Sequence, residues 1–491
     1  MPTLAQAGFF ASLAETFDTY VNVAVGFLFQ WGLVYLLIGV GVVITFYLGA
    51  PQIRNLKEIF TSFKGSRRRI DPEISSFQAF AVGIATRVGI GNIGGVALAL
   101  IMGGPGAIFW MWIIAFIGMA TAFAESTLAQ LFKIRHNDGT FRGGPAYFIS
   151  RGLGWKKIAY LFAGITIFSS GMAVPMVQVN TVAATVQESH HVAPWMTGVV
   201  MMVLLAPVII GGIRWVAKVS EYLAPIMALL YIAITVVIIV QALIVAPETV
   251  GNAFASIFGM AFGWKAAAGG MLGAIFQALI QGARRGLFSN EAGLGTFSNA
   301  AGAATVKHPC QQGFLQAFGV FVDTMIVCTS TALIILIANP VVPTDPNEAG
   351  ALTATSVAQS LGPWMEPVMT IIIFIFGYTT AFGAYSYGQV SLDHFTQNSA
   401  VSLIYRCIVV VLCGVGAVAQ LSTVWALADL MLGLGAIINL IAVLMLAKWA
   451  RGALKDWNAQ RAERKKPVFI STDNKYMPAE LPGRIWRTDS A

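Results

Sequence analysis

Charge is what this 491-residue chain has least of: Asp, Glu, Lys and Arg together make up 11% of it, against about 25% in a typical soluble domain. A water-soluble globule of this size cannot cover its surface with so few charges. A soluble enzyme, a disordered regulator and a secreted disulfide scaffold are therefore disfavoured. Histidine is scarce too, with five residues (His136, His190, His191, His308 and His394), all outside the middle of the apolar runs. No metal or nucleophile-base motif of an intramembrane hydrolase is left in those runs. The four cysteines, Cys310, Cys328, Cys407 and Cys413, have no CxxC spacing, so neither a zinc site nor a disulfide framework is expected. The first 25 residues lack a basic stretch and carry Glu15 and Asp18, so they do not read as a cleavable signal. What fills the chain is hydrophobic residue, 57% of the total, and the natural solvent for that surface is lipid.

A hydrocarbon core about 30 Å thick takes about 20 apolar residues in a helix. Eleven such spans are expected, at roughly 26–50, 76–104, 106–132, 157–188, 194–211, 216–246, 266–300, 309–338, 363–391, 401–420 and 424–448. The fold class is therefore an all-α polytopic membrane protein with about 11 transmembrane helices. The net charge of +8 invites a nucleic-acid reading, but the placement of the basic residues excludes it: six fall between Arg54 and Arg69, six between Lys133 and Lys157, and ten between Lys448 and Arg487. Alternate loops hold 26 of the 30. By the positive-inside rule residues 1–25 face away from the cytoplasm, 26–50 form an extra first helix, and 449–491 form a basic cytoplasmic tail, expected to be a short solvated appendage.

Two spans are interrupted by glycine and polar residues at membrane depth. The second contains Thr86-Arg87-Val88-Gly89-Ile90-Gly91-Asn92-Ile93-Gly94-Gly95. Its Gly89-x-Gly91-x-x-Gly94 matches the dinucleotide fingerprint in form only, since no strand precedes it. Close helix packing accounts for the glycines, but not for Thr86, Arg87 and Asn92 beside them. The seventh span contains Gln281-Gly282-Ala283-Arg284-Arg285-Gly286-Leu287-Phe288-Ser289-Asn290-Glu291. Charges at that depth are expensive unless paired, so Arg284, Arg285 and Glu291 read as a salt-bridged gate, or, if the spans are shorter, as a loop at the membrane surface.

The two interrupted spans lie five positions apart. An odd-numbered block repeated once starts on the opposite face, giving a 5+5 inverted repeat over 76–246 and 264–448 whose two first helices are both broken. Broken helices bare amides for a carboxylate and carbonyls for a monovalent cation, so the chemistry expected is binding without bond-making.

Val88-Gly89-Ile90-Gly91-Asn92 resembles the unwound first helix of the sodium-coupled leucine-transporter fold. Longer segments are similar to one family within it, the alanine or glycine:cation symporters (sodium:alanine symporters): Ala85 to Val96, Gly103 to Trp112, Gly118 to Glu125, Gly143 to Tyr147, Arg285 to Gly293 and Phe321 to Thr324. The resemblance covers about residues 30–450. It implies that the amides of Gly89, Ile90 and Gly91 hold a substrate carboxylate with Asn92 beside them. Gln281, Gly282, Ser289 and Asn290 would then supply the second break's share of the substrate site. It also implies a sodium site made by the carbonyls of Ala85 and Val88 with the hydroxyls of Thr379 and Thr380, oxygen ligands that suit a hard cation.

Two departures bear on this. Ala384-Tyr385-Ser386-Tyr387-Gly388-Gln389 lacks the tryptophan and glutamate of the commoner family pattern, and Arg87 replaces a residue many members have before Val-Gly. Arg87 is expected to pair with Glu125 on the third span as a structural contact, or, if it faces the cavity, to supplement the carboxylate site. Phe168 is a candidate apolar wall for a methyl side chain, and Asp323 is an intramembrane carboxylate and so functional by default.

The function expected is sodium-coupled uptake of a small neutral amino acid, alanine and/or glycine, by alternating access. No enzyme activity and no cofactor are expected; sodium is the coupling ion, and the partners are the amino acid and the bilayer, not nucleic acid. The location expected is the plasma (cell inner) membrane. The alternatives are the same fold carrying another small zwitterion or using protons, and a channel or receptor.

Overall fold

The structure is a computed structural model that describes residues 19–64, 66–67, 73–263, 271–340, 349–419 and 422–487. Most of the 1–25 segment, and part of the expected start of the second repeat at 264, lie outside the described residues. Helix dominates, as backbone immersed in lipid requires, since every amide and carbonyl must be bonded within the segment. Among the described residues seven helices are long and apolar enough to cross a membrane, or eight if one bent pair counts as a single span.

The helices relevant to the site are α1 (residues 19–48), α2 (Leu56–Lys64), α3 (Ser76–Arg87), α4 (Val96–Gly103), α5 (Gly106–Leu131), α6 (Pro145–Gly152) and α7 (Lys156–His190). They continue with α8 (Pro194–Ile210), α9 (Ile213–Val245), α10 (Pro247–Ala261), α11 (Met271–Asn290), α12 (Ser298–Ala303) and α13 (Cys310–Ala338). The chain closes with α14 (Ala349–Leu361), α15 (Met365–Phe395), α16 (Ser399–Val418) and α17 (Ser422–Ala462).

Burial sorts these helices. Every residue of α3 is buried, as is every residue of α5 from Gly118 to Leu131, so these two form the centre of the molecule. α5 packs along α11 and α13, and α3 along α9 and α15. The outer helices expose apolar side chains such as Leu229, Val237 and Ile244 on α9, a surface suited to lipid and unsuited to water.

At the end of the molecule that carries the basic residues, the two broken helices are tied together. Ile74, just before α3, pairs with Ala304, just after α12, and the Thr305 amide donates to the Ile74 carbonyl at 2.9 Å. Lys133, past the end of α5, donates to the Ala304 carbonyl at 2.9 Å and to Gln130 Oε1 at 2.7 Å. Its ammonium lies 4.1 Å from the Phe141 ring centre and 4.8 Å from that of Trp486. Burial lowers this ammonium from its ordinary 10.5 to about 7, against the opposing pull of Glu73.

The tail differs from the solvated appendage expected. α17 continues to Ala462, and the following chain folds back onto the protein: the Phe469 amide donates to Lys307, Trp486 Nε1 to the Gln130 carbonyl at 3.1 Å, and Arg151 Nη2 to the Pro482 carbonyl at 2.6 Å. The cause is composition: Phe469, Leu481 and Trp486 supply an apolar face that the basic residues around them conceal in a charge count.

Candidate functional site

The first break begins where α3 stops. Ser75 caps the helix, accepting from the Gln78 amide while Gln78 Oε1 accepts from the Ser75 amide. At Val88 the backbone leaves the helical region (ψ 86°), and the chain resumes as a π-turn over Gly91–Gly95 before α4, with a bend of 50° between the two halves. Gly89 is required here by a close approach: a Cβ on it would collide with Thr380 Oγ1 of α15, whereas one on Gly91 or Gly95 would meet nothing within 4 Å. The second break begins after Asn290, with Glu291, Gly293 and Gly295 at φ 57°, 89° and 78° before α12. The first interruption is thus a bend within one span, whereas at the second the helix stops at Asn290 and residues 291–297 lead to α12.

They meet at one side chain. Asn92 Oδ1 accepts the Gly89 amide at 3.0 Å; its Nδ2 donates to Asp323 Oδ1 at 2.5 Å and to Ser289 Oγ at 3.2 Å. Asp323 lies in a π-turn of α13 (Phe321–Cys328), a distortion that turns its carboxylate toward the breaks. Its Oδ2 accepts from Ser289 at 2.7 Å and from Thr324 at 2.8 Å, and Asn290 Nδ2 donates to Thr324 Oγ1 at 3.2 Å. Asn92, Ser289, Asn290 and Asp323 thus form one fully buried cluster. The Gly89 amide is already engaged by Asn92, so in this conformation it is not offered to a carboxylate, unlike the expectation for Gly89, Ile90 and Gly91 together.

Of the expected sodium ligands, Thr380 Oγ1 donates to the Ala85 carbonyl at 3.2 Å, which brings α15 onto the first break next to Val88. Thr379 points elsewhere: its hydroxyl donates to the Phe376 carbonyl of its own helix at 3.0 Å and faces Met227 Sδ of α9 at 3.3 Å. One helical residue is about 100° of rotation, enough to turn the neighbouring hydroxyl off the break.

The expected gate pairings do not form. Arg87 does not reach Glu125: its Nη1 donates to the Gln316 carbonyl at 3.2 Å, its guanidinium stacks 3.8 Å from the Phe297 ring centre, and Nε and Nη2 have no partner among the described residues. Glu125 instead accepts the Gly293 amide and Asn439 Nδ2. Arg284 and Arg285 do not pair with Glu291. Arg284 approaches Asp429 of α17 at 3.9 Å and lies over Phe29, while Glu291 accepts from Thr296 at 2.5 Å. Glu291 lies past the end of α11 in a left-handed turn, where its neighbours are Thr296 and, at longer range, Arg87.

Gln281 and Gly282 also fall away from the cluster. Gly282 is pressed against Ala107 and Trp110 of α5, and Gln281 against Gly103 at the far end of α4, so both pack helices together. A little over two turns of α11, about 12 Å, separates them from Ser289 and Asn290. Phe168 stands half-buried at the start of a π-turn in α7 (Ser169–Ala173) and makes no ring pair among the described residues.

Several residues of the site were not assigned to it from sequence. Thr324 and Cys328 complete the Asp323 cluster, with Cys328 Sγ 3.0 Å from Ser289 Oγ. Tyr387 hydrogen-bonds Thr86, and Asn439 clasps the second break. The available signal for Asn439 was a lone amide inside the apolar run Gly435-Ala436-Ile437-Ile438-Asn439-Leu440.

Residues 14–471 match the sequence model of the sodium:alanine symporter family. The chain belongs to that family. Its members are transporters, so this protein is a multi-pass membrane transporter of a sodium-coupled symporter family and not an enzyme. It is 40% identical over 459 residues to a Bacillus subtilis protein named probable sodium/glutamine symporter, covering 93% of this chain and 94% of that one. It is 36% identical over 468 residues to the sodium/alanine symporter of Methanococcus maripaludis, covering 93% and 99%. To the sodium/proton-dependent alanine carrier protein of Bacillus sp. PS3 it is 33% identical over 412 residues, covering 81% and 91%.

Proposed function

We propose that this protein is a sodium-driven symporter that takes up a small neutral amino acid, alanine or glycine first, by alternating access. The observation that carries the reading is Asn92, whose amide bonds the Gly89 backbone on one side and Asp323 and Ser289 on the other, so that both helix breaks converge on one buried group. Among the described residues the hydrogen-bond donors to Asp323 are neutral, which suits it to face sodium or the ammonium of an amino acid. The oxygens of Ala85, Val88 and Thr380 suit a second singly charged hard ion. The substrate carboxylate docks on the backbone of Ile90 and Gly91. Bound sodium favours the substrate-competent arrangement, and by reciprocity substrate tightens sodium.

In the same reading, residues 76–246 and 264–448 are inverted copies of a leucine-transporter-like fold. The basic end faces the cytoplasm across the cell's inner membrane. The test is uptake of labelled alanine and glycine into proteoliposomes under separate sodium, potassium and proton gradients. Accumulation that follows sodium is expected; accumulation indifferent to sodium removes the coupling.

A larger amide cargo is the second reading, favoured by the open space at Gly91 and Gly95 and by the relative named as a sodium/glutamine symporter. Competition by glutamine in the same assay decides between them.

A further inference from the structure

We propose that Glu125 is a proton-binding site whose protonation loosens the second helix break. The carboxyl group is 0% exposed and sits where α5 crosses the chain after Asn290. Oε1 accepts the Gly293 amide at 3.1 Å, and Oε2 accepts Asn439 Nδ2 at 2.8 Å. The same Nδ2 donates to the Gly293 carbonyl at 2.9 Å. One carboxyl and one amide thus hold both backbone groups of a glycine at φ 89°.

Two features make this a group that exchanges a proton rather than a fixed anion. The first is that its hydrogen-bond donors are neutral. The charged groups that face it at longer range are Arg87 of α3 and Glu291 of the break, one of each sign; Arg87 donates to Gln316 through Nη1 and stacks on Phe297, and neither of its other two nitrogens reaches Glu125. An anion buried among neutral dipoles carries a desolvation penalty that binding a proton removes.

The second feature is Asn439 Oδ1, which is buried with no partner among the described residues. A protonated Glu125 has an O–H in need of an acceptor. Turning the Asn439 amide presents Oδ1 to it and withdraws Nδ2 from the Gly293 carbonyl. Protonation therefore exchanges a closed clasp for an open one, with Gly293 released on its carbonyl side. One proton binds one carboxylate, taken from water when the break is accessible on one face and returned to water on the other; no further reactant is involved.

The transport arm of the test rests on the function proposed above, and a stability arm does not. In the stability arm, the melting temperature of purified wild type and of Glu125→Gln is followed from pH 5 to 9. The glutamine mimics the protonated acid, so the two are expected to converge at low pH and separate as pH rises. Lys133 is present in both and cancels. A difference that is constant with pH overturns the proposal. If Glu125→Gln does not fold, Asn439→Ala takes its place: removal of one donor to the carboxylate is expected to move the pH midpoint of wild type upward, and an unmoved midpoint overturns the proposal.

In the transport arm, alanine uptake under a fixed sodium gradient is read with a pH dye inside the vesicles. Wild type is expected to show alanine-linked proton movement and a pH-dependent rate, and Glu125→Gln a flat rate without proton movement. A wild-type pH profile and proton movement in Glu125→Gln overturn the assignment of the site. Absence of sodium-driven accumulation in wild type, with pH-dependent separation in the stability arm, sinks the transport reading and leaves the proton site standing.

Discussion

Asn92 and Asp323 stand 231 residues apart in the chain and share a 2.5 Å hydrogen bond at the centre of the molecule. Asn92 also holds the Gly89 amide, so in the proposed mechanism a ligand taken up by Asp323 acts on the backbone of the first break. Ser289 and Asn290 carry the same change to the second break.

Removing the charge at that point tests this directly. Asp323→Asn keeps the shape and loses the anion, and hydrogen bonds to a charged group contribute about 1.5–3 kcal/mol each. Sodium-driven uptake is expected to fall by roughly 10- to 100-fold. Initial rates as a function of sodium concentration check it, and a sodium dependence like that of wild type contradicts it.

The two adjacent threonines give opposite expectations. Thr380→Ala removes the hydroxyl that meets the Ala85 carbonyl and should weaken apparent sodium affinity by about tenfold, a loss of about 1.4 kcal/mol. Thr379→Ala removes a bond within its own helix and should change sodium affinity by less than about threefold. Equal effects in the two variants would argue against an ion site at Thr380.

Glycine substitutions separate close packing from open space. Gly89→Ala drives a methyl group into Thr380 Oγ1 and is expected to abolish transport while lowering the melting temperature. Gly91→Ala meets no atom within 4 Å, so the fold is expected to be unaffected and the range of accepted side chains to narrow. Competition assays with alanine, serine and glutamine read the second outcome.

Lys133 makes stability depend on pH. Its folded value, about 7, lies below the ordinary 10.5, so between those values the unfolded chain binds a proton that the folded one does not. Stability therefore rises with pH across that window, and the penalty of burying the ammonium is present in full below about 7. Lys133→Met is expected to raise the melting temperature at pH 6 and to flatten its rise towards pH 10. An unchanged slope between pH 7 and 10 would show that the ammonium is not desolvated.

Much of this was legible in the sequence because lipid imposes strict rules. Apolar runs marked the helices, and glycine with Asn92 at membrane depth marked the first break. Asp323 was singled out as a carboxylate where none is cheap. What the sequence did not disclose was pairing. Arg87, Glu125 and the Arg284 pair each had several partners of suitable charge; Asn439 and Asp429 on α17 took up Glu125 and Arg284, while Arg87 settled on the Gln316 carbonyl and the Phe297 ring. Thr379 and Thr380 show the same limit at a single step of the helix. Charge counting likewise described the tail as soluble while its buried side chains docked it.

The seating of Trp486 on the Gln130 carbonyl, beside the junction of Ile74 with Ala304, has a practical side. With the other eleven of the twelve tryptophans replaced, an indole lodged against that seam is an optical probe of the seam that needs no added label. For the same reason a reporter protein fused immediately behind it would crowd a packed junction, and its signal would register how the tail is seated as well as how much protein is present.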